Sequence, residues 1–213
     1  MSDDTFNWQN TKQLSILQII LAFLIPSAIA FTGFRYVLPK LVEGGIPSII
    51  AWPAIASIML FGFVLVAVFF LNKEAKELNI SFRERACLQP LSLKQWKVNG
   101  WIFSLVLIFT IVISNKASIE FTHIPGLSVP DYFPFFLNPA IDPMNTDVAL
   151  LTPGFILKGA SWLIPLIAMT LFLNILTEEF YFRAYLLPKL SKYGNLSWVI
   201  NGGLFALYHS FQL

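Results

Sequence analysis

The sequence predicts an all-α fold, a polytopic bundle of about five transmembrane helices, and three observations predict it. Of 213 residues, 56% are hydrophobic and only 12% charged, about half the charged share of an ordinary soluble domain. The apolar residues gather in runs near the roughly 20 residues that a helix needs to cross a hydrocarbon core. Lys and Arg, finally, are distributed unevenly over the connections between those runs, as in proteins with a fixed membrane orientation.

The first run is Leu14 to Phe34, interrupted by Gln18, Ser27, Thr32, Gly33 and Pro26. Ala28-Ile29-Ala30 resembles a small-residue cleavage site after a signal peptide. The preceding segment, however, carries Asp3 and Asp4 against Lys12 alone, the wrong sign for a signal sequence. The run is therefore read as a span. The second runs from about Ile46 to Leu71, the third from about Trp101 to Ser114, the fourth from Gly159 past Ile175, and the fifth from Leu196 to Leu213. No internal repeat or linker divides them, so residues 1–213 read as one helical membrane domain, with a motif-bearing region over 171–213.

Orientation follows from the cations. The connection from Asn72 to Gly100 holds Lys73, Lys76, Arg83, Arg85, Lys94 and Lys97; Lys12, Arg183, Lys189 and Lys192 lie on the same side. Arg35, Lys40, Lys116 and Lys158 lie on the other. The expectation is a multi-pass cell-membrane protein with its amino terminus and basic connections in the cytoplasm. The segment from Asn115 to Lys158 is then external, and its Pro and aromatic residues (Pro130, Tyr132, Phe133, Pro134, Phe135, Phe136) suit either an interfacial loop or a substrate gate.

A net charge of +2 without any basic tract carries no nucleic-acid signature. The lipid bilayer is the expected partner. One cysteine, Cys87, excludes a disulfide framework and multi-cysteine metal sites. The two histidines, His123 and His209, are the whole imidazole supply.

Ionisable residues inside a span are costly and mark functional sites by default. The fourth run contains Glu178-Glu179-Phe180-Tyr181-Phe182-Arg183 and stays apolar through Leu187 to Pro188. On an α-helix Glu179 and Arg183 share a face in the favourable order for an ion pair, which this placement would bury. Glu178 lies about 100° around the helix. It is thus left beside a like charge without that partner, the setting of a general base. In the fifth run Phe205 and His209 share a face, while Gly202, Ala206 and Ser210 form a small-residue stripe open to another helix. Asn174 and Asn201 read as interhelical hydrogen-bonding residues.

Glu178-Glu179-x-x-x-Arg183 followed by Phe205-x-x-x-His209, in consecutive spans, resembles the first two motifs of the CAAX-protease and bacteriocin-processing family. That family includes the Ras-converting CAAX prenyl proteases and the bacterial Abi proteins. The resemblance implies an intramembrane endopeptidase acting on a peptide or membrane-protein substrate. Glu178 and His209 would activate the water that attacks a peptide carbonyl, with Glu179 and Arg183 organising the site. The family is often called a metalloprotease family, but no cofactor follows from the residues themselves. If a divalent metal such as Zn²⁺ is bound, Glu178 and His209 are its ligands. One histidine and two carboxylates make an incomplete Zn²⁺ site, so a metal-free glutamate mechanism fits equally well.

The family's third motif, a histidine followed four residues later by Asn or Asp, does not occur before Leu213. The expectation is an amino-terminal portion that is inactive alone. A non-catalytic membrane scaffold or bacteriocin-immunity protein on the same fold is the alternative, and a transporter fragment would need paired broken helices that the sequence does not repeat. The orientation is directly testable through Cys87. An impermeant maleimide should label it only after the membrane is opened; labelling of intact cells would reverse the topology.

Overall fold

The computed structural model describes residues 8, 11–88, 90–122, 129–139, 141–142 and 144–209. His123 and Ser210 to Leu213, which figure in the reading above, lie outside them. All regular structure among the described residues is helical: α1 (Ile16–Thr32), α2 (Leu38–Glu43), α3 (Ser48–Glu77), α4 (Phe82–Arg85), α5 (Leu93–Thr122), α6 (Val148–Leu151), α7 (Leu163–Thr177) and α8 (Leu196–Tyr208). Two π-helical segments, Gly33–Val37 and Glu178–Leu186, and a 3₁₀ segment, Leu187–Tyr193, continue α1 and α7 without a break.

Among the described residues, three continuous helices are long and apolar enough to cross a membrane by length and composition: Ile16–Glu43, Ser48–Glu77 and Leu163–Tyr193. The third expected span falls inside α5, a helix of 30 residues on which every described side chain is exposed. Its apolar face is thus left to lipid. The fifth is α8, 13 residues, or about 20 Å at 1.5 Å per residue. The connection after the third expected span is shorter than expected, because α5 continues through Thr122. It also packs inward: Phe133 is buried against Phe34 under the Arg35 guanidinium, and Phe136 meets Trp52 edge-on.

The core lies where α1, α3, the π segment of residues 178–186 and α8 meet. Phe23, Phe34, Leu60, Phe63, Phe182 and Tyr208 supply much of its bulk. α3 and α7 are also joined by hydroxyls. Ser57 and Thr170 meet at 2.8 Å, and the Thr177 hydroxyl donates to Leu60 O at 3.2 Å. In lipid, where apolar surface is not driven together, such bonds are a main source of helix–helix specificity.

Prolines shape the spanning helices. Proline lacks an N–H, and its ring crowds the carbonyl four residues earlier, so that carbonyl loses its α-helical donor. For Pro26 the orphan is Ala22 O, which accepts from Tyr181 OH at 2.8 Å. For Pro188 it is Ala184 O, which accepts from Arg85 Nη1 at 2.6 Å. Both π segments end two residues before a proline, Pro39 and Pro188. Helix bonding is thus rearranged where proline forbids the regular ladder.

Arg85 anchors the end of this arrangement where α3, α4 and the 3₁₀ segment meet. It is fully buried, donating from Nε to Glu74 Oε2 at 2.8 Å, while the second Glu74 oxygen is taken by Lys189 Nζ. The Tyr185 ring lies against both cations, and Trp8 stacks on Arg85. Two residues counted above as loop charges, Arg85 and Lys189, are therefore interior. The segment before α1 straps onto the same place: Leu14 N–H donates to Lys189 O and Gln13 Nε2 to Pro188 O, each at 3.2 Å.

Beside Arg85, α4 closes with Leu88 N–H bonded to Arg83 O and Cys87 N–H to Glu84 O. This Schellman geometry holds Cys87 at φ 59°, a conformation better suited to glycine. The residue is exposed. Its thiol is nevertheless crowded by protein, and that desolvation pushes it above the ordinary range, against the opposing charge of Arg85. Maleimide labelling should therefore accelerate as pH rises past the usual thiol range.

Glu74→Ala would strand two buried cations. The expected loss is at least about 3 to 5 kcal/mol, read as a lowered unfolding midpoint in detergent micelles. Lys73→Ala, which breaks the exposed Lys73–Glu77 pair, should change stability by no more than about 0.5 kcal/mol.

Candidate functional site

Residues 178–186 carry the first motif on a π-helix, where an α-helix is expected from the sequence. The difference decides which side chains meet. At about 100° per residue an α-helix would point Leu187 opposite to Glu178. A π-helix, bonded i→i+5, returns to one face about every four to five residues. Glu178, Phe182, Arg183 and Leu187 accordingly line one cavity of about 160 Å³, closed across by Trp198, Asn201, Gly202 and Phe205 of α8.

Glu178 is half-buried and accepts a hydrogen bond from Asn174 Nδ2 at 2.7 Å. Glu179 accepts from Arg183 Nη1 at 2.5 Å. The partners divide as the spacing suggests, but the faces do not, because Arg183 also lines the cavity of Glu178. The pair is not buried by protein either: its side chains are 58% and 47% exposed for Arg183 and Glu179. Glu179 points away from the protein interior, whereas Phe182 beside it is buried in the core.

His209 caps α8. Its Nδ1 lies 3.0 Å from Phe205 O; a carbonyl only accepts, so the contact requires Nδ1–H and leaves the basic lone pair on Nε2. The ring packs edge-on against Phe205 and Tyr208. It lines a second, smaller cavity of about 40 Å³ with Asn174, Tyr208, Trp52 and Phe34. Glu178 and His209 thus line two different cavities, and Asn174 links them, bonded to Glu178 and lining the cavity of His209.

Asn174 therefore acts within its own helix, where the sequence suggested an interhelical bond. The i, i+4 spacing to Glu178 was the available clue. Asn201 likewise makes no such bond: its Oδ1 is buried without a hydrogen-bond partner among the described residues. Nothing lies within 4 Å of a Cβ placed on Gly202, so the small-residue stripe of α8 is not covered by a helix among the described residues. Trp52, whose Nε1 is also buried without a partner among the described residues, is a wall residue that the sequence did not mark.

No group of three His, Cys, Asp or Glu among the described residues is arranged to hold a metal ion. Glu178 and His209 sit on separate cavities, so these residues do not make a Zn²⁺ site, and no step below passes through one.

Residues 160–213 match the family model for the type II CAAX prenyl endopeptidase, Rce1-like. This segment is similar to that family. The match takes in α7, the π segment and α8, with Glu178, Glu179, Arg183 and His209 all inside it, and it is the same family that the two motifs resemble. Together with the apolar helices, the Rce1-like match marks a membrane protein. No curated protein and no solved structure matches the chain.

Because the Glu179–Arg183 pair lies within a helix long and apolar enough to cross a membrane, Glu179→Gln leaves the guanidinium without its carboxylate there and should lower the unfolding midpoint in lipid. An unchanged midpoint would show that water reaches the pair.

Proposed function

We propose that the protein is an intramembrane endopeptidase of the Rce1-like kind, with Glu178 as general base and His209 as its partner. The observation that carries the reading is the setting of Glu178. Asn174 orients this carboxylate at the wall of a cavity that also presents Arg183 and Asn201, inside the segment that matches the family. A carboxylate so held can take a proton from water. The water oxygen then bonds to the peptide carbonyl carbon, the C–N bond breaks, and the proton passes from the glutamic acid to the departing amine. His209, with its lone pair on Nε2, would share in moving protons from its own cavity, past Asn174. Glu179 and Arg183 would hold the outer lip of the site. The substrate would be a peptide or the tail of a membrane protein, reached from the cytoplasmic face.

The separation of Glu178 and His209 into two cavities favours one rival, a non-catalytic scaffold or bacteriocin-immunity protein on the same fold. A single experiment divides the two readings. The protein made from its complete reading frame is placed in lipid and offered internally quenched peptides, with and without a lipid anchor. Glu178→Gln should reduce cleavage by about 10²- to 10⁴-fold while leaving the unfolding midpoint nearly unchanged. Full turnover by Glu178→Gln would remove Glu178 as the base, and no cleavage by the unaltered protein would favour the scaffold.

A further inference from the structure

The 3₁₀ segment Leu187–Tyr193 is seven residues long, whereas 3₁₀ runs beyond three or four residues are uncommon because their hydrogen bonds are poorly aligned. Such a segment calls for support from outside itself, and the chain before α1 provides it. The Gln13 carboxamide bridges two of its backbone groups: Nε2 donates to Pro188 O at 3.2 Å, and Oε1 accepts from Lys192 N–H at 3.0 Å. Between them, Lys189 O accepts from Leu14 N–H at 3.2 Å. Gln13 is held in turn by its own stretch, since Nε2 also lies 3.1 Å from Thr11 O and 3.3 Å from Trp8 O. With carbonyls around one end and an N–H at the other, the carboxamide has one orientation that satisfies all of them.

These contacts fall one residue away from the wall of the Glu178 cavity. Leu187, which lines it, precedes Pro188. Arg183, which also lines it, precedes Ala184, whose carbonyl is held by Arg85, and Trp8 of the same stretch lies over that guanidinium. The stretch before α1 thus braces the motif segment at two points. Resting on the endopeptidase reading, we infer that Gln13 is a positioning residue for the reaction: by clamping Pro188 and Lys192 it fixes the junction of the π and 3₁₀ segments and so keeps Glu178 and Arg183 on the cavity wall. It acts through the backbone and needs no contact with substrate.

Gln13→Glu tests this with little change of shape. The ionised carboxylate keeps an acceptor for Lys192 N–H but has no donor, and it faces the carbonyls of Pro188, Thr11 and Trp8. In the full-length protein in lipid, amide hydrogen exchange over residues 183–193 should quicken while that of α3 stays as it was. With internally quenched peptides, kcat per folded molecule should fall about ten- to a hundredfold, as for a small displacement of a reacting group, with KM little changed. Should Gln13→Glu fail to fold, Gln13→Met, of similar length and uncharged, should show both changes. A merely structural glutamine would quicken exchange throughout the bundle and lower the unfolding midpoint, with kcat per folded molecule unaltered. That result, or unchanged exchange over 183–193, overturns the inference alone. Absence of Glu178-dependent cleavage by the unaltered protein overturns the endopeptidase reading and this inference with it.

Discussion

One carboxylate, Glu74, holds one end of the bundle together. It sits at the end of α3 and engages both Arg85 of α4 and Lys189 of the 3₁₀ segment. Two neighbouring helices and a stretch 115 residues beyond Glu74 therefore share a single anion. Two cations on one carboxylate leave an excess positive charge, and the surroundings are built to absorb it. The carbonyl of Ala184 accepts from Arg85, and the rings of Tyr185 and Trp8 lie against the cations. Such a cluster adds less net stability than its contacts suggest, because desolvating the ions offsets much of their attraction. Its stronger effect is geometric. It admits one arrangement of α3, α4 and the chain around Pro188.

That arrangement reaches the candidate site through the backbone. Pro188 denies Ala184 O its usual donor, and Arg85 supplies another. Upstream the helix is π-bonded; downstream it is 3₁₀. The π segment brings Glu178, Phe182, Arg183 and Leu187 onto one line of the cavity wall. Regular α-helix would scatter them. π-Helical turns are frequent at functional sites, and here the gain is visible: a carboxylate, a guanidinium and an aromatic ring face one space, while Tyr181 on the same segment donates to the carbonyl orphaned by Pro26. Two prolines in two helices are thus satisfied by side chains of the motif segment and of its anchor.

The site is asymmetric in its support. Glu178 has a neighbour that orients it, Asn174, and a wall of aromatic side chains. His209 stands at the very end of α8, held by its own helix through Phe205 O and by ring contacts with Phe205 and Tyr208. The face of α8 that bears Gly202 meets no atom at Cβ distance among the described residues. Asn174 is the shared element, and any proton exchange between the two motif residues would run past its carboxamide.

The sequence by itself determined that the chain is helical and membrane-embedded. Apolar run length and the scarcity of charge leave few alternatives, since lipid offers backbone groups no hydrogen-bond partners. It also determined the order of the two motifs and the Glu179–Arg183 pairing, because an i, i+4 contact is local. The resemblance to the family rested on those same few residues. What only the tertiary structure decided involves partners distant in the chain. Pro188 is legible as a helix disturbance, but its resolution into π and 3₁₀ turns accompanies a donor 99 residues before Ala184, Arg85, which charge counting had placed at the surface. The exposure of the ion pair, the separate cavities of Glu178 and His209, and the orphaned oxygen of Asn201 depend on how α8 packs against the π segment. Local spacing cannot specify such contacts, because they depend on which side chains from distant stretches of chain occupy the remaining space.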